Sequence, residues 1–111
     1  MAKTTEIKIT VELDENNLPV SMNWSASDTK QGGAVKGMLL SMWDDKEKNS
    51  MHLHLWTKDM MTDEMKQFMH QTLLGQSDTI KRALSDEKLA ASLYDYAHKF
   101  ALESGILKGA E

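Results

Sequence analysis

The feature that most restricts this chain is a change of period in its apolar residues. Through much of the first half they recur at every second position, and after Thr62 they recur at every third or fourth. A strand alternates its side chains between two faces, whereas a helix returns to the same face after three or four residues. Strands must therefore come first and helices second, which is an α+β order rather than alternating βα units.

The opening strand is the clearest. Ile7, Ile9, Val11 and Leu13 fall on one side, and Lys8, Thr10 and Glu12 on the other. Asp14-Glu15-Asn16-Asn17 is turn chemistry, since Asp and Asn hydrogen-bond their own backbone and tolerate left-handed conformations. Val20, Met22 and Trp24 then alternate with Ser21, Asn23 and Ser25, and the single proline, Pro19, starts this run, where a missing N–H costs least. Together these segments predict a β-hairpin. Ser25 to Gly33 is small and polar, ends in a glycine pair, and reads as a loop.

Residues 34–43 fit both periods, because Val35, Met38, Leu39, Met42 and Trp43 also match a helical face. Strand is favoured on two grounds. Gly32, Gly33 and Gly37 would each weaken a helix by about 1 kcal/mol relative to alanine. The polar stretch from Asp44 to Ser50 also suits a hairpin loop before the next strand, Met51 to Thr57. That strand places Met51, Leu53 and Leu55 inward and His52, His54 and Trp56 outward, giving a second hairpin.

Thr62 reads as the N-cap of a helix whose first turn carries Asp63 and Glu64. Met65, Phe68, Met69, Leu73, Ile80, Ala83 and Leu84 supply its apolar positions, and Lys81 and Arg82 sit near its end. Gly75, followed by Gln76, Ser77 and Asp78, predicts a bend or frayed turn. Ser85-Asp86-Glu87 opens a second helix, with Leu89, Leu93, Tyr96, Ala97 and Phe100 as its buried stripe. Ser104-Gly105 closes it, and residues 106–111 are expected to be partly disordered. The expected fold is α+β: a four-stranded antiparallel sheet made of two hairpins, followed by two C-terminal helices packed on one face. At 111 residues the chain is expected to form one domain spanning 1–111 and is too short for two.

Charge and composition exclude several functions. Lys and Arg number 13 against 17 Asp and Glu, a net charge of −4, and the lysines are scattered among carboxylates. A phosphate-binding surface needs a clustered basic stripe, so nucleic acid is not an expected partner. The longest apolar run, Met38-Leu39-Leu40, falls far short of the ~20 residues of a membrane span, so no membrane insertion is expected. No leader pattern precedes the first strand. The absence of cysteine removes thiolate chemistry and suits a reducing compartment, so a cytoplasmic location is expected.

Few residues invite chemistry. His52 and His54 project from one strand face about 7 Å apart, a start for a metal site whose third ligand would have to come from Asp44, Asp45 or Glu47. They are weak candidates without an HExxH or similar spacing. His70 and His98 have no nucleophile or orienting carboxylate at fixed spacing. Asp63-Glu64 and Asp86-Glu87 occupy first helical turns, where the helix dipole accounts for them. Gly32-Gly33 continues into neither GxGxxG nor GK[ST], and no GxSxG occurs. No catalytic residue and no cofactor are indicated, so the expectation is a protein that is not an enzyme.

Surfaces say more than motifs. Trp43 and Trp56 join Leu39 on the outer sheet face beside His52 and His54, and exposed tryptophans anchor protein interfaces. Of the nine methionines, Met60 and Met61 stand at the strand-to-helix junction and are kept as contact residues, because soft thioethers adapt to a partner's surface. The leading expectation is a protein partner bound through Trp43, Trp56, Leu39, Met60 and Met61. The alternative is a small ligand- or metal-binding module using the same outer face. Homodimerisation through an exposed edge or the outer face is compatible with either and has no signature of its own.

Several strings carry a specific resemblance. Met38-Leu-Leu-Ser-Met-Trp-Asp44, Leu55-Trp-Thr-Lys-Asp-Met60, Glu64-Met-Lys-Gln-Phe68, Gln71-Thr-Leu73, Ser77-Asp-Thr79 and Asp86-Glu-Lys88 resemble the gliding motility protein GldC family of Bacteroidetes. Glu6-Ile-Lys, Leu13-Asp-Glu and Trp24-Ser25 are similar as well, so the likeness covers about nine tenths of the chain. The Leu55-to-Met60 block is its most specific part. Gly75-Gln76 and the loop through Gly32-Gly33 depart from the pattern. The resemblance implies a small cytoplasmic protein that assists bacterial surface gliding through a partner in the gliding apparatus, with no enzymatic activity, cofactor or catalytic residue to carry over.

Overall fold

A computed structural model of the protein describes residues 3–106. The chain divides into two compact units, Met1–Met60 and Met61–Glu111. The first unit holds five strands: β1 (Ile7–Leu13), β2 (Pro19–Ala26), β3 (Gly32–Val35), β4 (Gly37–Asp44) and β5 (Asn49–Trp56). They form two antiparallel sheets, one ordered β1-β2-β3 and the other β4-β5. The single four-stranded sheet expected from the sequence is thus corrected to sheets of three and two strands.

The first hairpin forms as its alternation predicts, with Ile9 opposite Trp24 and Val11 opposite Met22. Met22 is the one large side chain fully buried among the described residues, at 1 % exposure. The turn is closed by Asp14, whose Oδ1 accepts from the backbone N–H groups of Asn16 (2.8 Å) and Leu18 (3.0 Å). Asn17 supplies the left-handed residue, with φ 62°. The register slips between Glu12 and Leu13, where Leu13 faces Pro19, which has no N–H to donate.

The extra strand lies in the segment expected to be a loop. Gly32 and Gly33 pair with Ser25 and Trp24. A Cβ at Gly32 would run into the Trp24 carbonyl, so glycine is what lets the two backbones approach there. Residues 34–43 are extended rather than helical, as the glycine argument favoured, but Lys36 divides them between β3 and β4. One residue after β3, β4 leaves the first sheet and pairs without a slip along β5, from Gly37 opposite Trp56 to Asp44 opposite Asn49.

A corner ties the two sheets of this unit together. The Thr57 N–H donates to the Lys36 carbonyl (2.8 Å) and the Lys58 N–H to the Pro19 carbonyl (3.3 Å). Thr57 is 2 % exposed, and its hydroxyl donates to Asp59 Oδ1 at 2.6 Å, so the buried oxygen is satisfied.

The second unit is a pair of helices, α1 (Thr62–Leu84) and α2 (Glu87–Ser104). The N-cap of α1 is Met61 rather than Thr62. The Met61 N–H donates to Glu64 Oε1 at 2.9 Å, so the glutamate three residues on takes the capping role expected of the threonine hydroxyl. The bend expected at Gly75 is absent, and α1 runs unbroken for 23 residues. Ser77 explains why a weak helix former sits there, since its hydroxyl is buried and donates to the Ala90 carbonyl of α2 at 2.7 Å. Asp86 caps α2 as expected, accepting from the Leu89 N–H at 2.9 Å, and Gly105 ends it in the left-handed conformation, φ 87°.

The buried stripe of α2 differs from the expected one. Ala90, Ala97 and Ala101 are its buried residues, whereas Leu89 and Tyr96 are exposed. Small side chains let helix axes approach closely, so alanines rather than the large residues take the centre of the contact. The tail expectation for 107–111 lies outside the described residues. Among the described residues no helix is long and apolar enough to cross a membrane.

Gly75 tests this account of α1. It is exposed, and an added Cβ meets nothing within 4 Å. Gly75→Ala should raise stability by about 0.5–1 kcal/mol, as alanine does in a helix interior, measured by urea denaturation. A destabilised variant would show that the helix needs glycine there.

Candidate functional site

The β4–β5 register decides which side chains share a face. Gly37 lies opposite Trp56, Leu39 opposite His54, Ser41 opposite His52, and Trp43 opposite Ser50. Paired residues point to the same side and alternate along the strand. Leu39, Trp43, Trp56, His52 and His54 therefore occupy one face, the grouping expected from the sequence. They do not form one cluster. Trp43 sits at the level of Ser50, six residues along β5 from Trp56, a separation of roughly 20 Å at strand rise. Leu39 is diagonal to Trp56, so the aromatic end of the face consists of Trp56, Leu39 and His54.

Both tryptophans are open to solvent, Trp43 at 64 % and Trp56 at 54 %. A recess lies beside Trp56. A groove of about 370 Å³ is lined by Asn17, Leu18 and Pro19 from the first hairpin, by His54, Leu55 and Trp56 from β5, and by Lys58. Its walls are chiefly apolar, with Asn17, His54 and Lys58 as the polar residues. The sequence reading missed this groove because Leu18 and Pro19 belong to a turn distant in sequence. The Lys58-to-Pro19 backbone bond and the Lys58–Asp14 ion pair, both tertiary features, bring them to β5.

Lys58 is held at the groove by a 2.5 Å ion pair with Asp14 Oδ2. Its hydrogen bond is the largest of the effects that hold the Asp14 carboxyl below the usual carboxylate range, ahead of the backbone N–H of Leu18. Asp59 is likewise lowered, chiefly by the Thr57 hydroxyl.

His52 and His54 lie with ring centroids 5.6 Å apart, and His52 Nδ1 is 2.8 Å from the Ser41 hydroxyl. Among the described residues no three His, Cys, Asp or Glu side chains are placed to hold a metal ion. Asp44 Oδ1 instead accepts from the N–H groups of Lys46 and Glu47 in its own turn, and Asp45 pairs with Lys48. Met60 is half-buried, and Met61 is exposed at the N-cap of α1.

The GldC-like family, described as gliding motility-associated protein GldC-like, matches residues 19–105, roughly four fifths of the chain. This chain is a member of the GldC-like family. The match runs from the start of β2 to the end of α2, and Pro19, His54, Leu55, Trp56 and Lys58 of the groove fall within it, while Asn17, Leu18 and β1 lie outside. The Leu55-to-Met60 string that carries the most specific resemblance is the stretch that builds the corner and one wall of the groove. Searches of curated proteins and of solved structures give no match.

The Asp14–Lys58 pair has a pH signature. A carboxyl lowered in the folded state contributes stability that is present above its unfolded value, about 4, and is lost as the pH falls through its folded value. Lys58→Met removes the largest cause of that lowering. The stability difference between wild type and Lys58→Met should therefore be greatest near neutral pH and shrink as the pH falls below about 4, read from denaturation midpoints. A difference independent of pH would contradict the pairing.

Proposed function

We propose that this GldC-like protein is a non-enzymatic accessory of bacterial gliding motility that acts in the cytoplasm by binding another protein. Its contact surface is the Trp56 end of the outer β4–β5 face, with Leu39 and His54 around the tryptophan. Membership of the family supports the link to gliding. The observation that carries the binding surface is the exposed Trp56 indole beside an apolar groove in the same unit. Tryptophan contributes most at an interface when it or a partner's anchor fills a pocket, and the groove offers one. Trp43, at the other end of the same face, is a peripheral contact.

The experiment compares wild type, Trp56→Ala and Trp43→Ala in affinity capture from cells of a gliding bacterium and in restoring gliding to a strain lacking the protein. Circular dichroism first establishes that each variant folds. Trp56→Ala should reduce capture of the wild-type partner at least tenfold, about 1.4 kcal/mol or more, and impair gliding, while Trp43→Ala has the smaller effect. A folded Trp56→Ala that captures the same partner and restores gliding fully would contradict the proposal.

A further inference from the structure

β1 is an edge strand, hydrogen-bonded to β2 on one side and, among the described residues, to no strand on the other. The ladder decides which of its backbone groups lie on the open side. The Ser27 N–H donates to the Glu6 carbonyl at 2.9 Å and the Glu6 N–H to the Ser27 hydroxyl at 2.9 Å, so Glu6 turns its polar backbone toward β2. In an antiparallel pair this orientation alternates along the strand. Lys8, Thr10 and Glu12, opposite Ser25, Asn23 and Ser21, therefore bond to β2, and Ile7, Ile9 and Val11 direct their N–H and C=O groups to the open side. Such a row is a template for another strand.

The side chains of this edge specify which strand. Of the five described strands, β1 alone carries charges of both signs, Lys8 and Glu12. Both are exposed, and both face uncharged serines on β2. A separation of roughly 13 Å along the strand keeps them from answering each other within one chain. They flank Thr10, the middle of the seven-residue strand, at equal distance. A strand that runs antiparallel to β1 and answers both charges needs a lysine and, four residues later, a glutamate, which is the order that β1 itself has.

We propose that two copies of this chain join through their β1 edges, antiparallel about a two-fold axis at Thr10, into one continuous sheet. Lys8 then lies opposite Glu12 of the second copy, Glu12 opposite its Lys8, and the whole strand is paired. A two-fold interface must be complementary to itself, and this register is. The backbone agrees, because Ile9 falls opposite Val11 of the second copy and both direct their N–H and C=O groups outward, so they exchange hydrogen bonds. The two Lys–Glu pairs fall at non-hydrogen-bonded positions, where opposed side chains come closest. On the other face Ile7 and Leu13, 70 % and 49 % exposed, meet across the axis. Sliding by one residue sets outward backbone groups against inward ones, and sliding by two breaks both Lys–Glu pairs. A parallel, in-register partner would set lysine beside lysine and glutamate beside glutamate, which is unfavourable. Just beyond the strand Glu6 approaches Asp14 of the second copy, a carboxylate already paired with Lys58 of its own chain. The edge is separate from the Trp56 surface, so either reading stands if the other fails.

Sedimentation equilibrium of the full chain from about 5 to 500 μM tests the inference. Wild type should pass from monomer to dimer across this range. The Ile9 and Val11 amides, followed by hydrogen exchange with NMR at about 50 and 500 μM, should gain protection as the dimer forms, whereas the Thr10 amide, bonded to β2, is protected at both concentrations. Lys8→Glu sets glutamate opposite glutamate on both sides of the axis and should weaken the dimer about tenfold or more. The double variant Lys8→Glu, Glu12→Lys restores opposite charges in the same register and should regain the wild-type affinity, which a general loss of folding would not allow. Circular dichroism checks that each variant folds. A wild type that stays monomeric throughout, a dimer whose Ile9 and Val11 amides exchange as in the monomer, or a double variant as weak as Lys8→Glu alone overturns the proposal.

Discussion

The hydrogen bond from the Thr57 N–H to the Lys36 carbonyl is the contact on which the first unit turns. Lys36 is the single residue between β3, which belongs to one sheet, and β4, which belongs to the other. Its carbonyl, at the point where the chain changes sheets, accepts from both the N–H and the hydroxyl of the buried Thr57. Thr57 supplies the partner as β5 ends. The next residue, Lys58, reaches Pro19 through its backbone and Asp14 through its side chain. Three consecutive residues, Thr57, Lys58 and Asp59, thus anchor the second hairpin to the first.

The functional surface follows from that anchor. The unbroken β4–β5 register gives the hairpin two chemically distinct faces, one with tryptophan, leucine and histidine, the other with three aliphatic and thioether rows that end at Asp44 opposite Asn49. The corner then brings Leu18 and Pro19 beside the Trp56 end, while Trp43 lies at the other end of the hairpin. One register and one corner therefore explain why two tryptophans on the same face have different surroundings. The helical unit obeys a different rule. Its contact is made by Ser77, Ala90, Ala97 and Ala101, side chains small enough to bring two helices close, so larger apolar residues such as Leu89 and Tyr96 remain open to solvent.

Much of this was legible in the sequence where periodicity was strict. The alternations in β1, β2 and β5, the acidic first turns and the glycine after α2 all have the structure they predict, and the shared face of Leu39, Trp43, Trp56, His52 and His54 follows from alternation alone. The departures share a cause, since each concerns a residue whose neighbour lies far away in sequence. Gly32 and Gly33 signal a loop by local propensity, but the close Trp24 backbone makes them strand. Gly75 to Asp78 signals a break, but Ser77 finds its partner on α2. The corner has no periodic signal at all, so neither the second sheet nor the groove could be read from spacing.

The most direct test of this account is amide hydrogen exchange of the full chain resolved by NMR at single residues. The Thr57 amide should be protected to the level of the central β1–β2 amides, such as that of Met22, because the corner opens only when the unit does. A Thr57 amide that exchanges as fast as those of the Asp44–Lys48 turn would contradict the account, since the second hairpin would then move independently of the first.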